Sequence, residues 1–502
     1  MGFPPSSSRL RPLLLGAALL QLLGCVPETA PGTGSDDGFP PPVGRSLASG
    51  LEIVAVTINQ GVSIDLLRDG LEPELYNAPV IAGRPGLVRV HVQPTDNWEE
   101  RPILGELLLR SAGGDLLFSE EWTVEVPSAP SDFETTFNFV LGPEAIEEDT
   151  TVAVRLWEGE GGSRGGDSSG SAWPPLGTRP LRATSWGGTL RVHLVPVEYN
   201  ADGSGRLPDT SSEQLQVLAD QLTRLYPLRE LELVLAEPYA SDLVLESNGT
   251  GFSDLLEAMS EERVVRDLPF DTYLFALVAP AATHQEFCGL GCTAGLAYRV
   301  ANPLNGFIKV AVGLGYEGSS AARTLTHEIG HLHDRGHAPC GNAGNPDPSF
   351  PHPDGAIGVE GWNIVDEEWV DPSEHADLMG YCTPDWVSDH NYAAFHQRMA
   401  AVEGLREARQ DLPEAPWLAL RVHGDGSLSH PREGLFGFVP EGTPRTLALL
   451  GARGEDMGSA LGHLVSFADL PGGTLILPSP PAAVRAVRLG DQQPVFLSSR
   501  AP

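Results

Sequence analysis

His327-Glu328-Ile329-Gly330-His331-Leu332-His333-Asp334-Arg335-Gly336-His337 places three histidines at intervals of four and six residues. On a helix, residues four apart share a face, so His327 and His331 can bind one ion. At ~100° per residue, Leu325, Ile329 and Leu332 fall on the opposite side, against a core. Glu328 follows the first ligand and projects beside the metal rather than onto it. A carboxylate there can take a proton from metal-activated water and return it to a leaving group. His337 lies too far along for the same helical face, so the chain must turn sharply after His331 to bring it back. Three neutral imidazoles leave a fourth position open for water, which marks a catalytic rather than a structural zinc. One catalytic Zn2+ on His327, His331 and His337, with Glu328 as general base, is therefore expected.

The neighbouring residues have plainer readings. His333 faces away from the ligand pair and is expected at the surface or behind the ligands. Gly330 inside a helix costs about 1 kcal/mol against Ala, which suggests close packing or a substrate-facing wall.

The string resembles the metzincin metallopeptidase motif, HExxHxxGxxH, at every ligand position. That clan also has a methionine-containing turn beneath its metal, and Asp377-Leu378-Met379-Gly380-Tyr381 looks like it, with Met379 as the methionine. A Tyr two residues after the Met resembles the astacin and serralysin branches, and the resemblance gives Tyr381 a role in stabilising the transition-state oxyanion. Looser similarity, in an exported setting with accessory β-domains, is to bacterial secreted metallopeptidases of the TagA and StcE type. The clan fold implies a mixed, mostly parallel sheet with helices, split by a cleft. Substrate would lie extended along an edge strand, supplied here by Leu296–Val312. One departure is Asp334, which stands where the clan has Gly after the second His. That Gly ends the helix in a left-handed turn, and Asp is among the few residues that tolerate the conformation. If the turn fails, His352, His375 and His390 are the substitute third ligands.

The chain has 502 residues, enough for two to four domains. Its formal net charge of −35 disfavours nucleic acid as a partner, because phosphate binding needs Lys and Arg clusters. Arg9 and Arg11 precede the apolar run Leu13–Leu23, as in a secretory signal. As a helix that run would span about 17 Å, short of the ~30 Å hydrocarbon core. It closes on Leu22-Leu23-Gly24-Cys25, which resembles the bacterial lipobox and implies a lipid anchor at Cys25, hence a membrane-attached envelope lipoprotein. An ordinary signal peptide with an incidental Cys is the alternative. Of five cysteines, Cys288, Cys292, Cys340 and Cys382 remain, an even number that suggests two disulfides in an exported protein. Three pairings are open. Cys288 with Cys292 and Cys340 with Cys382 is the favoured one, and the second would tie the loop after the third ligand to the Met379 turn. A four-cysteine zinc site lacks the usual CxxC spacing.

Composition divides the chain further. Residues 1–25 form the signal and 26–48 a Pro-, Gly- and Ser-rich tether. Short apolar runs broken by turns over 49–157, with alternation in Val88-Arg89-Val90-His91-Val92, predict an antiparallel β-sandwich. Residues 158–185 read as a linker. Alternating strands and helices over 186–412 hold the motif. There Thr210-Ser211-Ser212-Glu213 has capping-box form, and Leu215, Leu218, Leu222 and Leu225 share a helix face. Residues 413–502 return to β-like runs. The expected fold class is an α+β metzincin-like catalytic domain, with a mixed sheet and an active-site helix, between an N-terminal β-sandwich and a small C-terminal β-domain. The Asn342–Gly355 loop offers Asp347 and Asp354 to Ca2+, although its Pro and Gly content reads more simply as a plain loop.

The expected activity is that of an exported zinc endopeptidase acting on a protein or glycoprotein substrate. A zinc amidohydrolase working on a cell-wall crosslink or glycoconjugate would use the same residues. A non-enzymatic surface adhesin with a structural metal would have no use for Glu328.

Overall fold

The computed structural model describes residues 42–159, 165–408, 415–436 and 441–497. The expected signal segment, Cys25 and most of the tether lie outside the described residues. Among those described, no helix is long and apolar enough to cross a membrane.

The first unit is two antiparallel sheets. Strands β1 (Leu51–Asn59), β2 (Ser63–Arg68), β3 (Gly86–Pro94) and β6 (Phe137–Leu141) form one, in the order β2-β1-β3-β6. Strands β4 (Arg101–Ser111), β5 (Gly114–Val124), β7 (Thr151–Glu158), β8 (Ala172–Trp173) and β9 (Arg179–Pro180) form the other. Close approach lets the sheets share one core: the Phe137 ring lies where a side chain on Gly105 would have to go, and stacks edge-on to Trp122 at 5.4 Å. The alternation in β3 predicts Arg89 and His91 facing water, but both are buried. Arg89 is covered by Trp369 at 4.0 Å and donates to the carbonyls of Pro130 and Asp132. Polar ends of the sequence stretch read as tether and linker also join this unit. Ala48 donates to Leu156 O, Ser171 Oγ donates to Ala48 O, and β8 and β9 both pair with β7.

The central unit is a six-stranded sheet. β10 (Thr189–Tyr199), β11 (Glu230–Leu235), β12 (Tyr239–Ser241), β13 (Thr272–Val278) and β15 (Val310–Leu314) are parallel, and β14 (Gly295–Ala297) runs antiparallel at the edge. The near-continuous apolar burial of β13 and β15 is what parallel strands covered on both faces require. Of the expected edge segment Leu296–Val312, only its first residues lie in β14; the stretch from Arg299 to Lys309 is loop with one 3-10 turn at Gly306–Ile308, and β15 lies inside the sheet. Helices α1 (Ser212–Leu225), α2 (Phe252–Val265), α3 (His284–Cys288), α4 (Ser319–Leu332) and α5 (Asp389–Ala408) accompany the sheet. The cap of α1 is Ser211 rather than Thr210, its side chain accepting from Gln214 N. Short pairs β16 (Gly361–Asn363) with β17 (Glu368–Val370) and β18 (Ala376–Asp377) with β19 (Asp385–Trp386) fill the loops before α5.

The last unit is a seven-stranded antiparallel sheet that curls toward closure. It comprises β20 (Ala415–Val422), β21 (Leu428–Phe436), β22 (Thr443–Leu450), β23 (Asp456–Ser466), β24 (Gly473–Pro478), β25 (Ala486–Leu489) and β26 (Val495–Phe496), ordered β21-β20-β24-β23-β22-β25-β26. The whole is a mixed α+β fold dominated by sheet.

Helix α4 is fixed from below. Leu325, Ile329 and Leu332 are fully buried, and the fully buried Met379 sits against Gly330 where a Cβ would collide with its sulfur. Gly330→Ala is therefore expected to destabilise the fold by about 1–3 kcal/mol through overpacking, read from denaturant unfolding. A second substitution, Met379→Ala, should make Gly330→Ala nearly neutral in the same assay.

Candidate metal centre

The C-terminal end of α4 carries the first two histidines, and the turn after it returns the third. Asp334 takes a left-handed φ of +66°, donates its N–H to His331 O, and is held by Arg299 Nε at 3.0 Å. This left-handed turn position is thus filled by an Asp that tolerates the conformation and gains an ion pair. Arg335 N donates to Gly330 O, closing the helix. His337 then lies beside the other two, with ring centroids 5.4 Å from His327 and 4.8 Å from His331.

Each imidazole is oriented by a backbone carbonyl. Nδ1 of His327 donates to Leu378 O at 2.8 Å, that of His331 to Arg335 O at 2.8 Å, and that of His337 to Gly344 O at 2.5 Å. A carbonyl only accepts, so all three Nδ1 atoms carry the proton and each Nε2 points inward. Nε2 of His327 and Nε2 of His331 lie 3.1 Å apart. Neither of these atoms has a proton for the other while the rings are neutral, so two lone pairs face each other at a separation that repels unless a cation lies between. Tetrahedral ligands about 2.0–2.1 Å from zinc would be about 3.3 Å apart, close to this value. Burial pushes His327 below the ordinary histidine range and His331 down to about 3, keeping both in the neutral form that binds metal. The donor set fits a metal ion.

Asp469 is the fourth member of the group and was not anticipated. It comes from the turn between β23 and β24, 132 residues beyond His337, within a stretch that reads as a plain Pro-Gly turn. Its Oδ1 is 2.9 Å from His337 Nε2, and its Oδ2 is 3.6 Å from His331 Nε2 with no hydrogen-bond partner though buried. Ligand atoms of His327, His331, His337 and Asp469 all fall within 4.8 Å of one another. Burial alone would raise Asp469, but the imidazoles of His331, His337 and His327 hold it well below the carboxylate range. Burial lowers His337, yet the hydrogen bond and charge of Asp469, with the bond to Gly344 O, together outweigh this and raise it.

Glu328 is buried, with Oε2 unpartnered, and its Oε1 lies against the Cα of Gly295 on the edge strand β14. Burial, and then the charge of Asp469, push its carboxyl well up. Tyr381 Oη donates to Asp469 Oδ1 at 2.7 Å and lies 3.3 Å from His337 Nε2. Glu328, Tyr381 and Asp469 line a cleft of about 580 Å³ that also includes Gly295, Thr324 and His327.

Cysteines pair as favoured: Cys288 with Cys292, and Cys340 with Cys382. The second joins the loop after His337 to the Met379 turn, where Tyr381 N also donates to Cys340 O. His333 is not at the surface; it is buried and stacked on Tyr273 at 4.8 Å. His352, His375 and His390 engage Asp389, the carbonyl of Asp371, and Arg335 respectively, away from the cluster. Asp347, named for calcium, instead accepts from Ser349 N and Oγ.

The chain matches no protein-family model, and no curated protein matches it. The site stands on its own geometry.

His337→Ala should abolish retention of a single metal ion after dialysis against a weak chelator, measured by elemental analysis. His352→Ala should leave it intact. Removing the metal with a strong chelator should lower the midpoint of thermal unfolding, because an ion bound only to the folded state stabilises it.

Proposed function

We propose that this chain is an exported zinc endopeptidase of the metzincin type. The observation that carries the proposal is the convergence of three tautomer-fixed Nε2 atoms beside Glu328, at the end of a helix that faces an antiparallel edge strand. Also in favour are the left-handed turn at Asp334, Met379 packed beneath Gly330, and the mostly parallel sheet. Two disulfides suit an oxidising compartment.

Zinc held by His327, His331 and His337 would lower the pKa of a water and polarise a carbonyl. Glu328 takes the proton as water adds to the peptide carbonyl carbon, and passes it to the amide nitrogen as the C–N bond breaks. A carboxylate and an amine result. Its high proton affinity in a dry pocket suits both halves of that transfer. Tyr381, partly exposed at the rim, is placed to donate its hydroxyl to the carbonyl oxygen once Asp469 no longer accepts it. β14 lies at the edge of the sheet, the place where an extended polypeptide would add its backbone groups.

Asp469 favours a second reading. Its carboxylate sits at the corner that a water or carbonyl would need, so the four side chains could hold a structural ion in a non-enzymatic surface protein. Glu328 argues for the enzyme, since a four-ligand structural site leaves that buried carboxylate without work. A zinc amidohydrolase on a non-peptide amide uses the same groups, and denatured casein as substrate separates it from a peptidase.

Glu328→Gln is the direct test. Zinc content should stay at about one per chain, because Glu328 is not a ligand, while casein cleavage falls roughly 10²–10⁴-fold. Equal cleavage by the variant would overturn the mechanism.

A further inference from the structure

The C-terminal sheet is docked on the central unit at a place that bears on access to the metal. Arg421 reaches Asp254 at 2.9 Å and Glu257 at 3.1 Å, and Arg432 reaches Glu257 at 2.7 Å, all on α2. Tyr298 Oη lies 3.0 Å from Thr474 Oγ1. Val465, Phe467 and Ile476 belong to the same apolar core as β14 and α4.

From that base the turn Ser466-Phe467-Ala468-Asp469 runs along the end of β14 and the residues just after it. Arg299 N donates to Ser466 O at 3.1 Å and Ala468 N donates to Ala297 O at 2.9 Å, an antiparallel bridge between Tyr298 and Phe467. The Phe467 ring packs on Tyr298 at 5.3 Å. One residue beyond this paired stretch, the Asp469 carboxylate enters the cluster, bonding His337 and taking the hydroxyl of Tyr381. An extended backbone paired to the edge-strand segment, an aromatic side chain lodged beside it, and an acid oxygen at the metal corner together form what a bound peptide or its cleaved carboxylate end would present.

We propose that Ser466–Asp469 is an intramolecular occupant of the cleft, which mimics bound polypeptide and holds the enzyme latent until the C-terminal domain is displaced or cut in this turn. The proposal rests on the peptidase reading for its purpose but not for its test. It makes Asp469 a competitor for the metal corner rather than a required ligand. It also assigns the cleft a direction: substrate runs antiparallel to Ala297–Arg299, with an apolar or aromatic side chain against Tyr298.

The test uses the whole protein loaded with cobalt(II) in place of zinc, as wild type, Asp469→Ala and Asp469→Asn. Acetohydroxamate, a small chelating probe of an open metal corner, is titrated while the visible d–d spectrum and metal content are followed. If the occupant keeps the corner free only a tenth of the time or less, both variants should bind the probe about tenfold or more tightly than wild type. Each should still hold about one ion on its three histidines. Clipping the turn with an added protease should give the same gain, which guards against a substitution that merely misfolds. Probe affinity within about twofold of wild type in both variants and in the clipped protein would overturn the proposal. So would loss of the ion in both variants, which would make Asp469 a structural ligand. Open probe binding in the variants with no casein cleavage would leave the occupant in place and sink the peptidase reading alone.

Discussion

Three hydrogen bonds, from the Nδ1 atoms of His327, His331 and His337 to the carbonyls of Leu378, Arg335 and Gly344, set the character of this molecule. They fix the tautomers and leave a pocket of inward lone pairs that only a cation or a proton can reconcile. Each carbonyl belongs to a different piece of chain: the Met379 turn, the helix-ending turn and the loop after His337. Much of the surrounding architecture can be understood as holding those three pieces still. Met379 packs under Gly330, Asp377 accepts from the N–H groups of Met379 and Ser388 and from Asn391, and the Cys340–Cys382 bridge ties loop to turn. A geometry of this kind must be rigid to a fraction of an ångström, which explains a dense, buried surround for a site that opens to solvent on one side.

The same dryness sets the chemistry. Burial keeps His327 and His331 neutral and pushes Glu328 upward, so the first two are ready ligands and the third a group that favours holding a proton. Asp469 complicates this balance. Its carboxylate raises His337, raises Glu328 further, and takes the Tyr381 hydroxyl. In one stroke a single side chain from the C-terminal domain engages a ligand, the base and the rim tyrosine. A carboxylate bonded to both His337 and Tyr381, and close enough to Glu328 to raise it, is hard to explain as incidental packing.

Local chemistry made much of this legible beforehand. The four-residue interval in α4 and the apolar positions Leu325, Ile329 and Leu332 specify a helix with one coordinating and one buried side. The apolar run Thr272–Val278 specifies a buried strand with the bounds found. Asp334 is compatible with a left-handed turn because short acidic side chains tolerate it, and its φ of +66° agrees. What failed was long-range. Arg89 and His91 alternate as solvent-facing residues should, but both are buried, Arg89 beneath Trp369 of a hairpin some 280 residues later. His333 faces away from the ligands as the helix requires, yet another layer of the fold, Tyr273, lies there instead of water. The polar stretch with a linker's composition carries enough backbone pairing to extend a sheet. Asp469 sits in a Pro-Gly turn with no motif, and only the docking of a separate domain gives it meaning.

The central claim is that these imidazoles share one ion. X-ray absorption at the zinc edge of the metal-loaded protein tests it most directly. The account predicts a first shell of three nitrogens with imidazole outer-shell scattering, at about 2.0–2.1 Å, completed by one oxygen. A shell with fewer than three imidazoles, or one that contains sulfur, would contradict it.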